Sequence, residues 1–196
     1  MIGNDLVDLV AAKAQSNWKR SGWLSKIFTA QEQDQILQAP SPDRMVWHQW
    51  SRKEAAYKAH QRVYNHVPTF NPIQIDTTDP TFVRVGTNVY KTTTTHHNNR
   101  IHSTAIIATE TAAISQLLFE RTDSDYKTIL LSKLAKAFTV EASQLILSKN
   151  KQEIPQLVCQ TTNQFIPISI SHHGAFVACV WMLPKSFSKQ VTPFEA

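Results

Sequence analysis

The chain has 196 residues, 42% of them hydrophobic and 18% charged, enough for one good-sized soluble domain or two small halves sharing a core. The segment Met1–Asp8 carries acids where a signal peptide needs a basic start, and no apolar run is long enough for a bilayer, so the expectation is a cytoplasmic protein without a membrane segment. The net charge of +5 asks for an anionic partner, but there is no Lys/Arg run, zinc-finger spacing or glycine-rich phosphate loop, so charge alone does not select nucleic acid.

Residues 2–10 (IGNDLVDLV) read as a buried strand with two carboxylates among aliphatic neighbours. Residues 11–38 read as helical with a break around Ser21-Gly22. A turn follows and ends in helix-start chemistry: Ser41 can cap, Pro42 suits the first helical position and Asp43 suits the positive end of the dipole. Arg44 to Val63, free of Pro and Gly, is expected to be one long helix.

Beyond Pro68 and Pro72 come β-branched segments at 73–76, 82–85, 88–95 and 101–109, which predict an antiparallel meander with exposed threonines on its third strand. A second helix is expected from about Ser124 to Phe138, then strands at 144–148, 156–160, 167–171 and 175–183, and a loose polar tail from Pro184. Helix-then-strands thus occurs twice, and TAIIAT in the first half has a counterpart in AFVACV in the second. The fold class expected is α+β, two similar helix-plus-antiparallel-sheet halves (1–120 and 121–185, with a tail at 186–196) forming a pseudo-dimer joined near Glu120–Ser124. Cys159 and Cys179 lie in apolar strand segments and read as buried free thiols in preference to a disulfide.

Two carboxylates carry the chemical signal. Glu54 shares a helix stripe with Val46, Trp47, Trp50 and Tyr57, and Asp5 shares a strand face with Val7 and Leu9. A carboxylate among apolar residues is costly unless it is paired or ligates a metal. For Glu54, an internal ion pair with Lys58 and a metal-ligand role stand level on the helix alone. Asp5 and Glu54 together could converge on one Mg²⁺, which keeps several waters and binds substrate phosphates.

At this point the sequence resembles a known family, the 4′-phosphopantetheinyl transferases. Gly3-Asn4-Asp5-Leu6-Val7-Asp8 is similar to the opening G-x-D-hydrophobic-V-E strand of the holo-acyl-carrier-protein synthase type. Trp50-Ser51-Arg52-Lys53-Glu54-Ala55-Ala56-Tyr57-Lys58-Ala59 matches the second signature, W-x-x-K-E-A-x-x-K-A, without a gap, and Phe28-Thr29 with Glu32 resembles the intervening F-T-x-x-E. Ser169-Ile170-Ser171-His172 is similar to the S-[IL]-S-H segment that the family places beside coenzyme A. In the larger class that segment lies in the N-terminal half, behind a basic helix start and a G-K-P turn. Here the order of halves is reversed, Lys127 stands near the helix start, and Glu153-Ile154-Pro155 replaces the turn, with Lys151 as a possible substitute for its lysine.

The resemblance implies transfer of the 4′-phosphopantetheine arm of coenzyme A to a serine of an acidic acyl or peptidyl carrier protein, as in fatty-acid, polyketide or peptide assembly. The carrier serine would attack the β-phosphate and release 3′,5′-ADP. Asp5 and Glu54 would ligate Mg²⁺, Val7 stands where the larger class has a second acid, and Asp8 would be at most a supporting residue. Lys58 would hold a phosphate oxygen, and His172, helped by Ser171, would contact the 3′,5′-ADP portion; Lys53 is either a phosphate contact or a surface lysine. The expected particle is a pseudo-dimeric monomer with no membrane partner, and nucleic acid is not favoured.

The remaining conspicuous residues read blandly. Trp18, Trp23, Trp47 and Trp181 are packing residues; His48, His60 and His66 are surface residues; His96-His97 is a strand tip or loop. His173 stands open between a coenzyme contact and solvent, and Arg44 between a phosphate contact and a helix-surface salt bridge. The competing hypothesis, a non-catalytic basic module binding nucleic acid or an acidic protein, explains the charge but not Asp5 and Glu54.

Overall fold

Strand β1 (Ile2–Asp8) has every residue buried, and the other elements are arranged around it. The computed structural model describes residues 1–121 and 125–182. β1 ends earlier than expected because Asp8 turns its carboxylate onto the N–H groups of Val10 and Ala11 and caps helix α1 (Leu9–Gln15). Val10, expected inside the strand, is therefore exposed. The stretch expected to be helical to residue 38 breaks twice, giving α2 (Trp23–Ile27) after Gly22, whose φ is 75°, and α3 (Ala30–Leu37) after a capping box between Thr29 and Glu32.

Helix α4 (Pro42–Tyr64) starts on Pro42 as expected, although Ser41 makes no side-chain cap. A 3₁₀ turn (Pro72–Gln74) leads into β2 (Ile75–Asp76), β3 (Phe82–Val85), β4 (Asn88–His96) and β5 (Arg100–Ile107). This is the expected meander, and β1 joins it to give the order β1-β5-β4-β3-β2 with antiparallel pairing throughout. The next strand, β6 (Ile114–Glu120), was not expected. It pairs with β11 (Phe176–Met182), which pairs with β10 (Ile168–His173), so the second sheet recruits residues ahead of the expected joint at 120.

Helix α5 (Tyr126–Phe138), capped by Asp125, leads through a second 3₁₀ turn (Ala142–Gln144) into a third sheet of β7 (Leu145–Lys149), β8 (Pro155–Cys159) and β9 (Gln164–Ile166). Its buried face of Leu130, Leu134, Ala137 and Phe138 packs with Leu157, Ile168 and Trp181. The architecture is helix plus antiparallel sheet, α+β as expected, and helix–3₁₀ turn–strand recurs in the order α4 to β2 and α5 to β7. Cys159 and Cys179 are buried free thiols. Among the described residues no helix is long and apolar enough to cross a membrane. The tail expected to be loose, and Ser124 at the expected start of the second helix, lie outside the described residues.

Helix α4 buries charge as well as apolar surface. Arg52 is 1% exposed and donates to Thr92 Oγ1, Gln49 Oε1 and the carbonyls of Thr77, Asp79 and Phe82. Lys53 and Glu32 are fully buried and joined at 2.8 Å; Glu32 also accepts from the N–H and hydroxyl of Thr77, and Lys53 donates to the carbonyls of Pro72 and Ile75. The network ties α3, α4 and the entry to β2 together. Glu32→Ala, which strands the Lys53 ammonium, is expected to cost about 3–5 kcal/mol in urea denaturation, and the double variant Glu32→Ala/Lys53→Met should recover part of that loss.

His102 on β5 is 2% exposed, and the Asn4 amide, whose orientation is set by its bond to the Ala178 carbonyl, faces His102 Nε2 at 3.2 Å. The amide can only donate there, so the ring is neutral. Burial lowers its pKa from 6.5 to about 4, against the pull of Asp5. The unfolded chain then binds the extra proton, so stability is expected to fall as pH drops from 6.5 toward 4, by at most about 3 kcal/mol from this residue. A stability–pH profile with the same slope in His102→Gln would contradict this assignment.

Candidate active site

Backbone contact sets the geometry. A Cβ at Gly3 would lie 2.1 Å from the Ala55 carbonyl oxygen and 2.4 Å from the Ala59 nitrogen, so β1 runs directly on α4. Two residues on, Asp5 meets the cleft face of the helix, where Glu54 and Lys58 stand one turn apart. Lys58 Nζ lies 3.1 Å from Asp5 Oδ1 and 3.4 Å from Glu54 Oε2. The ion pair of Glu54 with Lys58 is present, and both residues line a cleft at the C-terminal end of the stripe, beyond the buried Val46 and Trp47.

The free edge of β1 is held by side chains instead of a strand. The N–H groups of Asn4, Leu6 and Asp8 donate to Ser169 Oγ, Ser171 Oγ and His173 Nδ1 at 3.0, 3.1 and 2.9 Å, in step with the period of two on β10. Ser171 Oγ also donates to Asp5 Oδ1 at 3.0 Å and lies 3.3 Å from Lys58 Nζ. Asp5 Oδ2 is buried and meets no hydrogen-bond donor among the described residues. Burial first, and the Asp5 carboxylate second, raise the Glu54 pKa to about 7, with Lys58 opposing. Burial works against the Lys58 charge, yet Asp5 and Glu54 outweigh it and hold its pKa above the ordinary value.

These residues line a cleft of about 550 Å³ with Trp23, Trp47 and Trp50 on one wall. Of the tryptophans expected as packing residues, Trp18, Trp47 and Trp181 are buried, and Trp23, half-buried, packs against Phe28, Trp47 and Trp50 where it forms this wall. A second cleft of about 520 Å³ adjoins it, sharing Lys58, Ile170 and His172, and is lined by Arg62, Tyr126, Lys127 and Lys149. The pair therefore has an acidic pole at Asp5 and Glu54 and a basic flank, an arrangement suited to a phosphate ester chelating a cation. The donor set fits a hard divalent ion such as Mg²⁺: two adjacent carboxylates share one ammonium, and one buried carboxylate oxygen lacks a donor. Among the described residues no group of three or more His, Cys, Asp or Glu could hold a metal.

Other candidates are sorted by their contacts. Lys127 is exposed in the first turn of α5 and lines the second cleft; His172 lies against the Tyr126 ring, centroids 5.1 Å apart and planes tilted by 45°, its pKa lowered by burial and then by Arg121 and Lys58. Lys53 requires correction: it is neither a surface lysine nor in either cleft, because it points to the closed side of α4 and is committed to Glu32. Asp8, expected as a supporting residue, caps α1 and accepts from Ala175 N at 3.0 Å, bracing the β10–β11 turn.

His173 is fixed between Asp8 N and Gln15 Oε1, and Arg44 spends its guanidinium on the carbonyls of His97 and Asn98. His48, His60 and His66, expected at the surface, are half-buried; His48 bonds His96 at 3.1 Å and His60 bonds the Tyr90 hydroxyl at 2.8 Å. Lys151 is exposed on the β7–β8 turn, while Lys149 lines the cleft, where it pairs with Glu153 at 2.8 Å. Arg62, Tyr126 and Lys149 were not singled out from sequence, since each becomes a cleft residue only when α5 and β7 fold back beside α4.

Residues 1–116 match the family model described as the 4′-phosphopantetheinyl transferase superfamily. The matched span contains Asp5, Glu54 and Lys58 and stops before Ser171 and His172. No curated protein is significantly similar to the chain.

Because Gly3 allows the contact that aims Asp5, Gly3→Ala is expected to lower stability by about 1–3 kcal/mol through overpacking against α4. Chemical denaturation checks this, and unchanged stability would mean that β1 does not lie this close to the helix.

Proposed function

Since the chain belongs to the 4′-phosphopantetheinyl transferase superfamily, we propose that it transfers the phosphopantetheine arm of coenzyme A to a serine of an acidic acyl or peptidyl carrier protein, releasing 3′,5′-ADP. The observation that carries this reading is the convergence of Asp5, Glu54, Lys58 and Ser171, from distant parts of the chain, at the junction of an acidic and a basic cleft. The carrier serine oxygen forms a bond to the β-phosphorus as the bond from that phosphorus to the bridging oxygen breaks. The electron pair leaves with 3′,5′-ADP, and the serine proton is lost to solvent or leaving group.

Asp5 and Glu54 would hold Mg²⁺, which supplies positive charge at the pyrophosphate while the anhydride breaks. Lys58, at the junction, holds a phosphate oxygen. His172 and Lys127 face the 3′,5′-ADP portion, with Lys149 in the place assigned from sequence to Lys151. Ser171 keeps Asp5 oriented. The two helix–turn–strand halves act as a pseudo-dimer with the site between them, and the free thiols suit a cytoplasmic setting. The net charge of +5 steers an acidic carrier to the enzyme. A non-catalytic basic module would leave two adjacent, partly compensated carboxylates without a purpose.

Intact mass spectrometry of an apo carrier with coenzyme A and Mg²⁺ is expected to show the gain of one phosphopantetheine, abolished by EDTA, by Asp5→Ala and by Glu54→Ala. Near-normal transfer by either variant would move the site elsewhere. Absence of both transfer and coenzyme A binding would remove the transferase reading.

A further inference from the structure

One ammonium serves two carboxylates and two clefts. Lys58 Nζ touches Asp5 Oδ1, Glu54 Oε2 and Ser171 Oγ, its side chain is 22% exposed, and it lines the acidic cleft and the basic one together. This differs from the nearby Lys53, which is sealed on its carboxylate with no exposure. A flexible stem with a compact charge at an opening is mobile in a way that a sealed pair is not.

Resting on the reading of Asp5 and Glu54 as the cation ligands, we propose that Lys58 is a displaceable counter-ion: its ammonium holds the two carboxylates together until a divalent cation takes their oxygens, and it then turns to a substrate phosphate in the adjoining basic cleft. The ammonium and the cation compete for the same atoms, Asp5 Oδ1 and Glu54 Oε2. The buried Asp5 Oδ2, which meets no donor among the described residues, is an oxygen the ammonium leaves for the cation. Removing the ammonium deletes both the competitor and its repulsion of the incoming ion. Lys58 thereby couples the two ligands: coenzyme A gives the ammonium another anion to hold and so frees the carboxylates, and by reciprocity the cation favours coenzyme A.

The test is isothermal titration of Mg²⁺ into the wild type, Lys58→Met and Lys58→Arg, without coenzyme A and in alkaline buffer so that protons do not compete for Glu54. Circular dichroism verifies folding, and Lys58→Gln carries the same expectation should the methionine variant not fold. Lys58→Met is expected to bind Mg²⁺ at least about tenfold more tightly than wild type, while losing transfer activity. Lys58→Arg, which keeps the competing charge, should stay near wild type in Mg²⁺ affinity. Coenzyme A should strengthen Mg²⁺ binding to the wild type more than to Lys58→Met.

A purely structural Lys58, needed to hold the carboxylates in place, gives the opposite result. Equal or weaker Mg²⁺ binding by the folded Met and Gln variants, with a wild type that binds Mg²⁺ and transfers the arm, overturns the counter-ion role and leaves the proposed function standing. A wild type that neither binds Mg²⁺ nor transfers the arm overturns the reading of the site, and the counter-ion role with it.

Discussion

Strand β1 crosses α4 at Gly3 with no side chain between them. At Gly3 the strand backbone lies against the helix backbone, closer than any β-carbon permits, and the whole site is hung on that contact. Asp5 sits two residues along the strand, so the same close approach brings its carboxylate to Lys58 across the 3.1 Å that an ion pair requires. An extra atom at Gly3 would act as a wedge between the Asp5 carboxylate and its partners on α4. Packed interiors yield little to such wedges, because the neighbours here are backbone atoms of a helix and have no rotamer to change.

The other edge of β1 shows how the second half of the chain enters the site. A strand edge carries backbone N–H groups that must be satisfied when buried. Here Ser169, Ser171 and His173 satisfy them through side chains, so β10 lies alongside β1 without extending the ladder. The substitution of side chains for carbonyls has a chemical consequence. A carbonyl could only accept, whereas Ser171 accepts from Leu6 N and uses its own proton on Asp5. The contact that closes the sheet edge thus also aims the Asp5 carboxylate.

Much of this was legible in the sequence, and the gaps have physical causes. Short β-branched segments located the β2–β5 meander, and the unbroken run from Arg44 located α4, because local composition decides those elements. Asp5 and Glu54 were conspicuous as carboxylates among apolar neighbours, and they do meet at one cleft. What was missed depends on partners remote in the chain. β6 is a strand because β11 offers it an edge, and its half-buried residues give no clean alternation. Lys53 looked like a phosphate contact or a surface lysine because its partner, Glu32, is on another helix, and the expected strand ran on to Val10 because nothing local shows that Asp8, the last residue of β1, caps the next helix.

Lys53 and Glu54 are neighbours in sequence but roughly 100° apart around α4, and that rotation separates structure from chemistry. On the closed side, Lys53 meets one carboxylate that is bonded on every side, and the charges have nothing left to offer a ligand. On the open side, Glu54 shares Lys58 with Asp5, and burial, with the Asp5 carboxylate behind it, lifts the Glu54 pKa to about 7. Full compensation yields stability, and a shared counter-ion at an opening leaves carboxylate oxygens within reach of a ligand. The same pairing of lysine with carboxylate is thus sealed on one face of α4 and open on another, and the difference lies in which face the rest of the chain has covered.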